Sequence, residues 1–208
     1  LQKGVVRIGT FSSACVEWMP SLLKNFEQEY PNVKLDIYQG TYNDVYQWLK
    51  DGVVDLGFLS ESSVGELAWD PIYKDRIVCA VPKGYQTEKP GCVTIEELKH
   101  QRFVVQREGC DADVNNLITK YEIPADGGSR IVDDMSAIAL VMGGYGVYMV
   151  PELVTRNIPF PVDVYPLEVE ESRTIVLAYA RSDIQAPAVS RVREYILERF
   201  RNGMEQGE

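Results

Sequence analysis

Hydrophobic residues fall in two alternating patterns along the chain. Residues 5–11, VVRIGTF, have the apolar content of a buried strand, and the SSACVEWMP that follows turns helical. In SLLKNFEQEYP (21–31), Leu22, Leu23, Phe26 and Tyr30 stand at helical spacing, and Pro31 stops the run. VKLDIYQG (33–40) alternates Val33, Leu35 and Ile37 as a strand does. TYNDVYQWLKDG (41–52) opens with Thr41 and Asp44 at capping-box spacing, carries Val45, Trp48 and Leu49 on one stripe, and closes at Gly52. VVDLGFL (53–59) is a strand again. The order β-α-β-α-β predicts a parallel sheet flanked by helices.

That order returns later. RFVVQ (102–106), SRIVDD (129–134) and VYMVP (147–151) read as strands, and residues 111–124 and 135–146 as helices between them. Little of the sequence itself repeats, so the architecture is duplicated rather than the residues. Between the halves lies a long strand pattern at 71–85. After the second half come TIVLAYARSD (174–183) and a helix at 187–200 with Val189, Val192, Ile196 and Phe200 on one face. One strand leaving and one returning predicts an α/β fold of two Rossmann-like lobes joined by two crossover strands, with a ligand cleft between them. The expected lobes are residues 4–77 with 181–202, and residues 78–180. In open parallel sheets ligands sit beyond the C-terminal strand ends. Here those ends meet helix starts, which favour anions and polar groups.

Composition narrows the function. The net charge of −10 argues against this chain gripping a phosphate backbone. No apolar run approaches the roughly 18 residues that cross a membrane, so no membrane partner is expected. Cys15, Cys79, Cys92 and Cys110 form no CxxC pair and read as scattered thiols of a reducing compartment. The lone histidine, His100, sits in the charged EELKH stretch and reads as a solvated helix-end residue. With no histidine cluster, metal set or nucleophile elbow, neither an enzyme nor a cofactor is expected. The GGYG at 143–146 ends a helix and enters a strand, the reverse of a phosphate loop. The sequence opens on Leu1 rather than Met, and a piece of a longer or processed protein is expected.

Five stretches in series resemble one family: VRIGTFSSACVEWMPSLLKNFEQEYPNVKLDIYQGT, LKDGVVDLGFL, RIVCAVPKGY, VTIEELKHQRFVV and ALVMGGYGVYMVP. The chain resembles the effector-binding (substrate-binding) domain of LysR-type transcriptional regulators, which shares the fold of type 2 periplasmic solute-binding proteins. The resemblance runs from residue 5 to about residue 200. It implies a cytoplasmic sensing domain that takes a small-molecule effector, side-by-side homodimers using the 21–30 helix, and a tetramer in the full-length protein. It also implies that DNA is reached only through an N-terminal winged helix-turn-helix that this sequence lacks. The alternative on the same fold is an extracytoplasmic solute-binding protein feeding a transporter.

Carried over by position, the family's effector contacts fall on Ser12 and Ser13, Gly40 and Thr41, Ser60, Arg107, Gly109 and Cys110, and Asp134 with Met135. Some family members place an arginine where Ser60 stands, so a dicarboxylate is not implied. Each position also has a plainer reading. Ser12 or Ser13 could cap the helix after the first strand, and Thr41 has Asp44 as its capping partner. Arg107 could fork a carboxylate or pair with Glu108 or Asp111. One of Asp133 and Asp134 should cap the next helix, leaving a second carboxylate for a ligand amine. Donors at Ser12, Ser13 and Thr41 facing the acidic Asp111, Asp113, Asp133 and Asp134 point to a small polar or anionic metabolite, with a zwitterion ahead of a dicarboxylate.

Overall fold

The structure is a computed structural model that describes residues 4–108, 110–125, 130–180 and 186–201. The chain forms two compact units, residues 1–74 with 174–208, and residues 75–173. The long strand β4 (Ala68–Pro82) and the returning strand β9 (Ser172–Tyr179) each carry the chain from one unit to the other.

In the first unit, β1 (Gly4–Thr10) pairs in parallel with β2 (Val33–Gln39) along its whole length and with β3 (Leu56–Ser60) at Ile8 and Gly9. β9 closes the set antiparallel to β3. All five residues of β3 are buried, as befits a strand covered on both faces. Helix α2 (Tyr42–Lys50) sets Val45 and Leu49 against Gly57, where a Cβ would lie 2.8 Å from either side chain.

Two expectations change here. The helical stretches on either side of Pro20 are one helix, α1 (Ser12–Glu29). An interior proline costs about 3 kcal/mol. Trp18, Leu22 and Phe26 continue one buried stripe across it, and Pro20 itself is exposed. That stripe packs on α7 (Pro187–Arg201) through Trp18–Phe200 and Phe26–Tyr195 ring contacts at 4.7 and 5.0 Å. The third strand starts at Leu56 rather than Val53, because the intervening residues finish α2. Gly52 turns to φ +66°, and the N–H groups of Val53 and Val54 fold back onto Trp48 O.

In the second unit, β4 lies between β7 (Tyr148–Pro151) and β8 (Val162–Pro166), antiparallel to both. Its side chains alternate between two cores. Ile77, Cys79 and Val81 join Leu98, Phe103 and Met149, while Val78 and Ala80 join Ile138, Val141 and Tyr148. The repeated strands are much shorter than their sequence patterns suggested: β5 is Val105–Gln106 and β6 is Arg130–Ile131, paired in parallel. Phe103 adds a single bridge to Val147. Strand β8 was not legible because Pro161 precedes it and Pro166 is its last residue. An edge strand tolerates prolines that a central strand would not. Helices α3 (Ile95–Lys99), α4 (Ala112–Lys120), α5 (Asp134–Met142) and α6 (Glu152–Thr155) complete the unit. No helix among the described residues is long and apolar enough to cross a membrane.

Candidate functional site

Parallel pairing brings the C-terminal ends of β1, β2 and β3 to one edge of the first unit. Thr10 stands opposite Gln39, and Gly40 N–H donates to Thr10 O at 3.0 Å. A side chain at residue 40 would collide with Trp48 and Asp44, at 2.7 and 2.8 Å, so glycine keeps this turn tight. Thr41 caps α2 in a full capping box: its hydroxyl accepts from Asp44 N–H, and Asp44 Oδ2 accepts from Thr41 N–H at 2.8 Å. Ser60 is fully buried at the end of β3 and accepts a hydrogen bond from Ser62 Oγ at 3.1 Å.

The capping reading of Ser12 and Ser13 is corrected. The N-cap of α1 is Phe11, which makes no side-chain cap, and the two serines lie inside the first helical turn. Cap geometry needs an extended residue whose own side chain reaches forward, and Phe11 (ψ 166°) takes that conformation without an oxygen to offer. Ser12 Oγ instead accepts from Gln39 Nε2 at 3.0 Å, which ties the helix start to the end of β2. Ser13 is buried, and the first turn contains no acidic residue.

In the second unit, β5 and β6 end side by side, and Arg107 N–H donates to Ile131 O at 2.7 Å. The Arg107 side chain is exposed and forms an ion pair with neither Glu108 nor Asp111. Gly109 lies outside the described residues. Cys110 is buried beside Asp111, which caps α4 by accepting from Val114 N–H at 3.1 Å. Asp133 caps α5, accepting from Ser136 N–H and Oγ, each at 2.8 Å. Asp134 Oδ1 accepts from Gln106 Nε2 and from Tyr148 Oη, each at 2.7 Å. Met135 is exposed at 42%.

The electrostatics of this unit are unusual. Burial lifts the Asp111 carboxyl to about 7; Arg173 opposes the shift, and Asp113 and Asp134 add to it. Burial also raises Asp134, against the donors Tyr148 and Gln106 and the charge of Arg173. Tyr148 is pushed well above its usual value by burial and then by the Asp134 and Asp111 charges, so its hydroxyl stays a donor. Arg173 is itself buried and forks Asp75 Oδ2 from Nε and Nη2 at 2.9 and 2.7 Å. The other oxygen of Asp75 accepts from Leu153 N–H at the start of α6.

The four cysteines are thiols outside any disulfide, and burial carries Cys79 up to about 12. His100 ends α3, exposed, with Nδ1 2.9 Å from Glu96 O. Gln39, Gln106, Tyr148 and Arg173 were not singled out from the sequence. A polar residue closing the apolar RFVVQ and a charge opening the apolar TIVLAY were the available signals.

The comparisons agree with this architecture. The HTH-type transcriptional regulator YvbU of Bacillus subtilis is 24% identical over 170 residues, covering 82% of this chain and 58% of the relative; the chain thus spans little more than half of that protein. Among solved structures, the effector-binding domain of QuiR in complex with shikimate superposes with a TM-score of 0.84 at 18% identity, covering 97% of this chain and 99% of that one. The Synechocystis PCC6803 CcmR regulatory domain in complex with 2-PG gives 0.84 at 17% identity with the same coverage. These are type 2 periplasmic-binding-protein-like α/β folds, and the fold of this chain is the same. The model of the LysR substrate binding domain matches residues 1–201, so the chain belongs to the family of LysR effector-binding domains.

Proposed function

We propose that this chain is the sensing part of a cytoplasmic LysR-type regulator: it binds a small polar or anionic metabolite, a zwitterion in the fullest form of the reading, and thereby controls DNA binding by a helix-turn-helix domain outside this sequence. The family match over residues 1–201 carries the proposal. The regulator names of the relatives support it over a transport role, and regulators of this kind are not enzymes. In the first unit the ligand-facing groups are Ser12, Ser13, Gly40, Thr41 and Ser60. The start of α1 has no side-chain cap and no acidic residue, and a helix start in that state attracts an anionic group. In the second unit they are Arg107, Cys110, Asp134 and Met135. We assign a homodimer as the working form, with a tetramer in the longer protein.

A thermal-shift screen with organic acids, sugar acids and amino acids tests the reading. At least one class should raise the melting temperature, and Ser13→Ala should weaken its binding by about 1–3 kcal/mol, the penalty for leaving a buried polar partner unsatisfied. Absence of any response across the screen would overturn effector binding. A ligand that binds Ser13→Ala as well as wild type would remove the α1 turn from the site.

A further inference from the structure

Asp133 uses both carboxylate oxygens on Ser136 and so completes the cap of α5. Asp134, the next residue, is not needed for that cap. It is nevertheless held by two neutral donors on different strands. Gln106 Nε2 and Tyr148 Oη both donate to Asp134 Oδ1 at 2.7 Å, and Gln106 Nε2 also lies 2.6 Å from Tyr148 Oη. Those donors are themselves only 9% and 1% exposed. A buried amide and a buried phenol therefore orient one oxygen of a carboxylate that has no capping task, and Oδ2 carries no hydrogen bond among the described residues.

A second observation is independent of Asp134. Asp113 Oδ2 is shut off from solvent with no hydrogen-bond partner. A buried acceptor left in that state is costly, and native folds rarely leave one without a donor to receive. Asp111, 4% exposed, gives one oxygen to Val114 N–H and interacts with both Asp113 and Asp134. The neighbouring cation, Arg173, forks Asp75. Among the described residues no three acidic, His or Cys side chains converge as a metal would require. Donors carried on a ligand fit better than a bare ion.

We propose that Asp134, positioned by Gln106 and Tyr148, is a specificity-determining residue that accepts a cationic amine of the effector, with Asp111 and Asp113 supplying the negative field around it. This rests on the effector-binding reading above. Without ligand, the Asp111 carboxyl, lifted to about 7 by burial, holds a proton through part of the neutral range, and burial raises Asp134 in the same direction. The groups that face them are Asp113 on α4, Asp133 on α5, Gln106 on β5, Tyr148 on β7 and Arg173 on β9. An arriving ammonium replaces that proton, which passes to the buffer. Amine binding thus tightens as pH rises from 6 to 8, whereas a ligand with no amine gains nothing from the same change.

The test pairs each proteinogenic amino acid with its deaminated acid, such as alanine with propionate and phenylalanine with 3-phenylpropionate. Melting shifts are followed by calorimetric titration in phosphate and in Tris. An amino acid should bind about tenfold or more tightly than its deaminated partner, as expected of a charge-assisted hydrogen bond. It should release protons on binding, seen as a buffer-dependent enthalpy, and Asp134→Asn should erase both the preference and the release. Should that variant fail to fold, Tyr148→Phe, which keeps the ring and drops one donor, must reduce the preference. Equal binding of both partners with no proton release, or a preference that survives in Asp134→Asn, overturns the amine assignment while leaving the effector reading intact. A shift with other organic acids but with no amino acid does the same. Silence across all classes overturns the effector reading and the assignment with it.

Discussion

The start of α1 in the first unit and the start of α5 in the second follow parallel strands in the same way, yet they are built with opposite chemistry. At α1 the cap position is Phe11, no side chain caps, and the first turn carries Ser12 and Ser13 with no acid. At α5 Asp133 caps with both oxygens and Asp134 adds a second carboxylate. A helix start carries about half a positive charge. The first unit sets no acidic side chain against that charge. The second more than cancels it, so this edge suits donors. A duplicated architecture therefore does not imply duplicated recognition: the turn residues set the sign.

The most severe way to break this contrast is to remove the cation that makes the acidic edge tolerable. Arg173 and Asp75 have side chains only 3% and 1% exposed. Arg173→Met should strand the Asp75 charge and cost about 3–5 kcal/mol in urea unfolding. The half-buried ion pair of the first unit, Arg7 with Asp55, still leaves its carboxylate the Arg7 N–H as a donor, and should cost less, about 1 kcal/mol, when broken in the same way. A loss that small at Arg173 would mean the acidic edge does not depend on it.

The next effect is a pH dependence. In the folded chain the Asp111 carboxyl titrates at about 7, against about 3.9 for an unfolded aspartate. A raised acid binds its proton more tightly when folded, so its contribution to stability falls as pH climbs from about 4 to about 7 and stays lost above that. Asn also caps helices well. The stability of wild type minus that of Asp111→Asn should therefore decline by up to about 1.4 kcal/mol per pH unit across that window. Denaturant melts at successive pH values measure it, and a flat difference would return the second unit's acids to ordinary surface behaviour.

The smallest effect sharpens the other side of the comparison. Thr41→Ala removes a true cap and should cost about 1 kcal/mol. Ser12→Ala removes only the acceptor of Gln39 and should cost less than about half of that. Equal losses would show that α1 is capped after all.

The alternation of strand and helix, the capping box at Thr41 and Asp44, the glycine ends of α2 and α5 and the family of the chain were all legible in the sequence. They rest on local spacing and local hydrogen bonds, which neighbours along the chain decide. The same reading failed where burial outweighed a local rule. The helical stretches before and after Pro20 were read separately, but the Trp18, Leu22 and Phe26 stripe makes them one helix in spite of the proline. Prolines hid β8, because nothing in PFPVDVYP tells that its partner is β4. The candidate site divides in the same way. The turn residues could be named from the sequence, and so could the expectation that one of Asp133 and Asp134 caps. That Asp134 is the one left over, held by Gln106 and Tyr148 from strands 28 and 14 residues away, is a tertiary fact. The buried fork of Arg173 on Asp75, separated by 98 residues, is another. Hydrogen bonds over such separations depend on which surfaces lose water when the strands pair, and only the folded chain decides that.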